Sequence, residues 1–290
     1  MNNLNRRRFV KSAAGLGLAT MTGFAGAFNA FGAAKNINAL GKINNIGLQL
    51  YTVRGMMRKN LEQTIQQVAE VGYQEVEFAG YYKRSASDIK NILDQSGLKS
   101  PSAHIDLNLM QGDVLKKTLE YSNIVGHKYI IIPYLQEQER QTLDQYKALA
   151  ALFNEIGEHC KAADIQLAYH NHNFEFQMID GVIPYDILLN ETDGDLVKMQ
   201  MDLFWIINGG GEPLDYFKRF PGRFPLCHVK DMKKDGTMVA VGDGDIDFAA
   251  LFSFSEQAGL EHYIVEHDKP DDPLESIKKS FDTLKNMTVV

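Results

Sequence analysis

Six segments of this 290-residue sequence end in side chains that bind metal ions or move protons. They are Glu75-Val76-Glu77-Phe78-Ala79-Gly80, Ser102-Ala103-His104, His170-Asn171-His172-Asn173-Phe174-Glu175, Met201-Asp202-Leu203-Phe204-Trp205, His228-Val229-Lys230-Asp231 and Val265-Glu266-His267-Asp268. Each carries or follows a short β-like run. Alternate side chains of extended backbone share a face, which pairs His170 with His172, His228 with Lys230, and Glu266 with Asp268. If these pairs point the same way, His170, Asp202, His228 and Glu266 converge from four consecutive strands. Two imidazoles and two carboxylates enclose one divalent cation and leave positions open for substrate oxygens. That donor set suits Mn, Zn, Co or Fe, with Mn foremost, and suits Ca less, because Ca prefers all-oxygen ligands.

A bland reading competes with each residue taken singly. A histidine at a strand end is more often a hydrogen-bonded structural residue than a ligand, and Asp202 after an apolar run could simply cap a helix. The bland reading must, however, place five of the eight histidines at strand ends together with several carboxylates. His127 and His159 fall outside those ends and are expected in surface or helix-end roles. Asp243-Gly244-Asp245-Ile246-Asp247 looks like the start of a calcium loop, but Phe248 stands where Gly is required and Phe254 where Glu is required. It reads as a turn, with Asp247 capping the next helix. Cys160 and Cys227 form no disulfide framework and read as core thiols.

The elements that must position these groups alternate strictly. Strands are expected at Ile46–Tyr51, Glu75–Phe78, Lys99–His104, Tyr129–Pro133, Gln166–Asn171, Val197–Leu203, Leu226–Val229 and His262–Glu266. Amphipathic helices are expected over Asn60–Val71, Ser87–Gln95, Asp113–Val125, Leu143–Ala163, Tyr185–Leu189, Leu214–Phe220, Phe248–Ala258 and Pro273–Lys285. Eight strand–helix units in roughly 245 residues imply parallel strands, right-handed crossovers and a single closed (β/α)8 TIM barrel, whose chemistry sits at the C-terminal strand ends. No glycine-rich phosphate fingerprint follows the first strand, which disfavours a dinucleotide-binding dehydrogenase. No linker divides residues 35–290 into two domains.

Residues 1–34 stand apart. Asn5-Arg6-Arg7-Arg8-Phe9-Val10-Lys11, a small and apolar run, and Gly32-Ala33-Ala34 resemble a twin-arginine export signal with its cleavage site. The run is too weakly hydrophobic for a good membrane anchor, so the expected product is exported to the periplasm without one. Losing Arg6, Arg7, Arg8 and Lys11, and no acidic residue, takes the formal charge from −7 to −11. So acidic a chain is a poor partner for nucleic acid.

The strand-end segments, in this order and with Gly47-Leu48-Gln49-Leu50-Tyr51, resemble the xylose isomerase-like TIM-barrel superfamily of sugar phosphate isomerases and epimerases. The resemblance spans essentially the whole mature chain. Ketose epimerases of that superfamily hold a metal with Glu, Asp, His and Glu from the fifth to eighth strands. Asp202, His228 and Glu266 match the last three; His170 stands near the place of the first, with Glu175 a few residues on. The His-x-His on the fifth strand is closer to exported Bacteroidetes-type members and the inosose dehydratase-like branch, which implies lyase chemistry on keto-sugars, including elimination from 3-keto-glycosides.

The resemblance implies one shared step, removal of a proton α to a sugar carbonyl through a metal-stabilised enediolate. Reprotonation then gives an isomer or epimer, whereas loss of a β-substituent gives a lyase or dehydratase product. His172 or His104 is the expected base, imidazole titrating near neutrality. Glu77 is expected as a substrate or acid/base group, and Lys230 as a partner for an oxyanion or hydroxyl. Glu175, Asp268 and the single tryptophan, Trp205, are expected to bind substrate. No arginine cluster or glycine nest marks a phosphate site, so the expected ligand is a free sugar or glycoside. A non-catalytic carbohydrate-binding barrel and a metal-dependent endonuclease are the competing classes; the latter wants a basic surface. Homo-oligomerisation is left open.

Overall fold

The structure, a computed structural model, describes residues 41–289, so the export signal expected at residues 1–34 lies outside the described residues. Eight parallel strands close on themselves: β1 (Ile46–Gln49), β2 (Glu75–Phe78), β3 (Lys99–His104), β4 (Tyr129–Ile132), β5 (Gln166–His170), β6 (Val197–Asp202), β7 (Leu226–Val229) and β8 (His262–Val265). Each pairs with its neighbour in sequence, and β8 pairs with β1 to shut the barrel. This is the (β/α)8 barrel that the alternation of elements predicts.

The helices are started and stopped by local groups. Asn60 caps the helix Leu61–Val71 by accepting from Gln63 N–H, and Gly72 ends it at φ 117°. Ser85 with Asp88, and Thr142 with Gln145, form capping boxes for Ala86–Ser96 and Leu143–Ala162. The latter buries Leu149, Phe153 and Ile156 against the sheet, each contributing about 2 kcal/mol by leaving water. Three details depart from expectation. The stretch Phe248–Ala258 is two short helices, Phe248–Phe252 and Ser255–Ala258. Ser253 and Ser255 hydroxyls donate to the Ala250 and Phe252 carbonyls, competing with the helical ladder where it breaks. Short helices also follow β1 (Arg54–Lys59) and β6 (Leu203–Asn208). Among the described residues no helix is long and apolar enough to cross a membrane.

Two separate cores result from the strand period. Residues facing outward, such as Leu48, Val76, Ile130, Leu167 and Val229, pack under the helices. Residues facing inward form two layers. Ile131, Ala168, Leu226 and Ile264 plug the barrel, and Gly47 belongs beside them, because a Cβ there would lie 3.2 Å from Ile264 Cγ1. Above the plug, seven of the eight strands turn polar side chains inward, β4 with Ile131 and Pro133 being the exception, and the register pairs Gln49 with Glu77, Glu77 with Ser102, His170 with Gln200 and Asp202 with His228.

Candidate metal centre

The polar layer floors a cavity of about 520 Å³ at the C-terminal end of the barrel, lined among others by His104, His170, His172, Lys230, Glu266 and Asp268. Beneath it, one ligating atom each from His170, Asp202, His228 and Glu266 lie within 4.8 Å of one another, and all four residues are buried. Four consecutive strands deliver them, as alternation requires.

Whether these groups fit a cation can be read from where their protons must be. His170 Nδ1 faces the Pro133 carbonyl at 3.2 Å, which only accepts, so Nδ1 carries the hydrogen. Burial, first, and the neighbouring imidazoles push its pKa down to about 4, so the ring is neutral. Its bare Nε2 then faces Asp202 Oδ2 at 3.1 Å. His228 donates from Nε2 to Glu77 Oε1 at 2.7 Å, so its Nδ1 is turned the other way. That atom lies 2.9 Å from Glu266 Oε2 and 3.7 Å from Asp202 Oδ2, in hydrogen-bond geometry with neither. Two imidazole nitrogens and two carboxylate oxygens are therefore turned on one spot, where the metal-free protein balances the negative charge with the Lys230 ammonium and with protonation of His228. Burial opposes charge on His228, but Glu266 and Glu77 reverse this and raise its pKa well above the usual range, again marking a spot that draws positive charge. The residues fit a divalent metal, with His228 held by an outer carboxylate in the manner of metal-ligating histidines.

Asp202 plays both parts weighed for it. Its Oδ1 accepts from Trp205 N–H at 2.9 Å, capping the short helix after β6, while Oδ2 faces the cation spot. Lys230, 2% exposed, reaches Asp202 Oδ2 at 3.0 Å, Glu266 Oε2 at 2.7 Å and Asp268 Oδ1 at 2.8 Å. Burial works against its ammonium, yet the three carboxylates more than offset it and hold the group charged. Burial raises the pKa of Asp268, with Lys230 opposing.

The other candidate residues fall at different depths. His104 lines the cavity, its Nε2 bonded to Gln200 Oε1 at 2.8 Å and 3.0 Å from Glu77 Oε1. His172 also lines it, stacked on Phe174 at 5.5 Å; burial, first, then His170 and Lys230, push its pKa down to about 2, so it stays neutral. Glu77 does not line the cavity. It is wholly buried below the floor, taking donors from Gln49, Ser102 and Gln200 besides the histidines. Glu175 is wholly buried as well, accepting from Tyr169 OH and from His172 N–H, so it fastens the loop after β5 from behind. Trp205 is half-buried against His172 at 5.6 Å between ring centroids, and its Nε1 finds no partner.

Other expectations resolve outside the site. His267 turns away to Ser276 Oγ at 2.9 Å. His127 does follow a helix end, at Gly126, but is 1% exposed rather than on the surface, wedged between Tyr81 OH and the Ser100 carbonyl. The Val241–Gly244 turn wraps the Asp231 carboxylate, which accepts from Gly242 and Gly244 N–H; a Cβ on Gly244 would lie 2.1 Å from that carboxylate. Asp247 caps the helix after the turn. Both cysteines are buried and free, and burial pushes Cys160 up to about 12. Gln49, Ser102 and Gln200 belong to the site; Gln49 and Gln200 fall outside the strand-end segments, and Ser102 stands in one of them without a role of its own. Their signal was a polar residue in phase with the ligands inside an apolar strand, as in Met199-Gln200-Met201.

Residues 65–287 match the family described as xylose isomerase-like TIM barrel. The chain belongs to that family. An inosose dehydratase of Lacticaseibacillus casei is 23% identical over 250 residues, covering 72% of this chain and 82% of the relative. A sugar phosphate isomerase/epimerase from Parabacteroides distasonis superposes with a TM-score of 0.73 at 26% identity, over 83% of this chain and 98% of that one. The IolI protein, solved with a zinc atom, superposes at 0.67 with 16% identity over 82% of this chain and 96% of that one, and shows the shared fold. The first two of these are enzymes by name, a dehydratase and an isomerase/epimerase.

Proposed function

We propose that this protein is a divalent-metal-dependent enzyme that removes a proton α to a carbonyl of a keto-sugar or inosose and then eliminates a β-hydroxyl as water. The observation that carries this reading is the floor of the cavity. Two imidazole nitrogens and two carboxylate oxygens face one spot, beside a fixed ammonium and a cavity-lining imidazole backed by a buried carboxylate.

A metal held by His170, Asp202, His228 and Glu266 would supply Lewis-acid stabilisation of negative charge on the substrate carbonyl oxygen. The chain's own residues do the rest. His104, its Nε2–H committed to Gln200 and Glu77, keeps Nδ1 as its accepting atom and takes the α-proton. Lys230 holds a substrate oxygen in place and offsets its growing charge. The electron pair of the C–H bond becomes the new double bond between the α- and β-carbons, and the C–O pair leaves with the β-oxygen. The proton on His104 passes to the departing oxygen, so water leaves and the base is restored. His172, neutral throughout, and Asp268 contact hydroxyl groups.

Elimination needs one acid/base group, whereas epimerisation needs one on each substrate face. The imidazole of His170 stands where a second carboxylate would be, and the inosose dehydratase relatives support the same choice. Isomerisation or epimerisation is the second reading, favoured by the Parabacteroides distasonis neighbour. We also propose export through the Arg6-Arg7 signal, with a mature chain starting near residue 35.

The test is to load the mature protein with Mn²⁺ or Zn²⁺, add an inosose in D2O, and follow it by NMR, with Asp202→Asn as control. A new alkene or dione that requires Asp202 is expected. A new diastereomer carrying deuterium at the α-carbon would shift the reading to epimerisation. Neither exchange nor product, with metal bound, would sink it.

A further inference from the structure

Below the cavity floor one carboxylate touches both halves of the proposed machinery. Glu77 is fully buried, and its Oε1 lies 2.7 Å from His228 Nε2 and 3.0 Å from His104 Nε2. Gln49 Nε2 donates to the same oxygen at 2.7 Å. Its Oε2 accepts from Gln200 Nε2 at 2.7 Å and from Ser102 Oγ at 2.5 Å. Gln200 then turns its own Oε1 to His104 Nε2 at 2.8 Å. The network has a single self-consistent proton arrangement. Glu77 accepts everywhere, the Gln200 amide can be oriented only one way, and each histidine must carry its hydrogen on Nε2.

We infer that Glu77 is a positioning residue that sets the tautomer of His104 and His228 together, aiming the Nδ1 of one at the metal and leaving the Nδ1 of the other free to take the substrate proton. The inference rests on the metal-and-base reading above and assigns Glu77 no contact with substrate. Neither histidine could do its part with the opposite tautomer. A hydrogen on His228 Nδ1 would block coordination, and one on His104 Nδ1 would leave the accepting atom buried against an acceptor. Both choices hang on one residue of β2, on the far side of the barrel from β7. A glutamine there cannot reproduce the arrangement. Its amide has one accepting atom for five donors, and its NH2 must meet either the two histidines or Gln200 Nε2. The Gln200 amide would then reverse and offer His104 Nε2 a donor in place of an acceptor.

The test reads protons and metal rather than turnover. In ¹⁵N-histidine-labelled wild type loaded with Zn²⁺, long-range ¹H–¹⁵N correlation should place a single hydrogen on Nε2 of both His104 and His228. A hydrogen on Nδ1 of either overturns the inference, and this holds even if no variant folds. In Glu77→Gln, Zn²⁺ affinity measured by calorimetry should fall on the order of 10- to 100-fold, as for other outer carboxylates of metal-bound histidine. The fixed His104 tautomer should be lost with it. A folded Glu77→Gln with wild-type Zn²⁺ affinity and wild-type histidine tautomers also overturns it. Wild type that binds no Zn²⁺ would instead defeat the metal reading, while the tautomer of His104 is still measured in the metal-free protein.

Discussion

Glu175 is a buried acid whose titration should be legible in the stability of the barrel. Burial raises its carboxyl from the ordinary 4.5 to about 7, against the hydrogen bonds from Tyr169 and the His172 backbone that favour ionisation. A carboxyl whose pKa is raised in the folded state contributes stability that is fully present below the unfolded value and is lost as pH rises through the folded one. The window is therefore pH 4.5 to just above 7. A tenfold change in proton affinity is worth about 1.4 kcal/mol, so the wild type should lose about 3 kcal/mol from this group across that window. Glu175→Gln removes the titration and keeps the shape: the amide oxygen can accept from His172 N–H while the NH2 donates to Tyr169 OH. Urea unfolding of both proteins, metal-free, at pH 4.5 and pH 8 isolates the effect, because every other titrating group cancels in the difference. The two proteins should be close in stability at pH 4.5, and the variant about 3 kcal/mol more stable at pH 8, or on the order of 6–12 °C in Tm. Parallel pH profiles for variant and wild type would refute the argument and mean that Glu175 is ionised in the folded protein at little cost. Because Glu175 does not line the cavity, activity should survive the change.

Two further outcomes follow from the structure. Lys230→Met leaves the buried Asp202 and Glu266 and the partly exposed Asp268 without their ammonium, so the metal-free variant should be destabilised by about 3–5 kcal/mol and largely recovered by Zn²⁺; equal stability of metal-free wild type and variant would show the carboxylates to be protonated instead. Replacing Arg6 and Arg7 with lysine should keep the full-length chain in the cytoplasm of a host with twin-arginine export, read by fractionation and mass; undiminished periplasmic protein would defeat the export reading.

The sequence by itself determined the closed barrel and the identity of the residues at its mouth. Both follow from local periodicities. Strand alternation of period 2 puts His170, Asp202, His228 and Glu266 in phase, and eight strand–helix repeats in a chain of this length match a closed barrel better than an open doubly wound sheet. The cap at Asp247 was equally local and equally legible. What only the tertiary structure decided is which polar groups face one another across the lumen. Glu77 and His228 are 151 residues apart in sequence and 2.7 Å apart in space; nothing in Glu75-Val76-Glu77 says that its second carboxylate lies beneath the floor rather than in the cavity. The same holds for Glu175, placed behind the wall by the single helical turn after β5, and for Lys230, whose charge is fixed by three carboxylates from two other strands. Periodicity sets the face a side chain takes, whereas its depth and partners depend on barrel curvature and on residues far away in the chain. Those are the quantities that fix protonation, and with it the chemistry a site can perform.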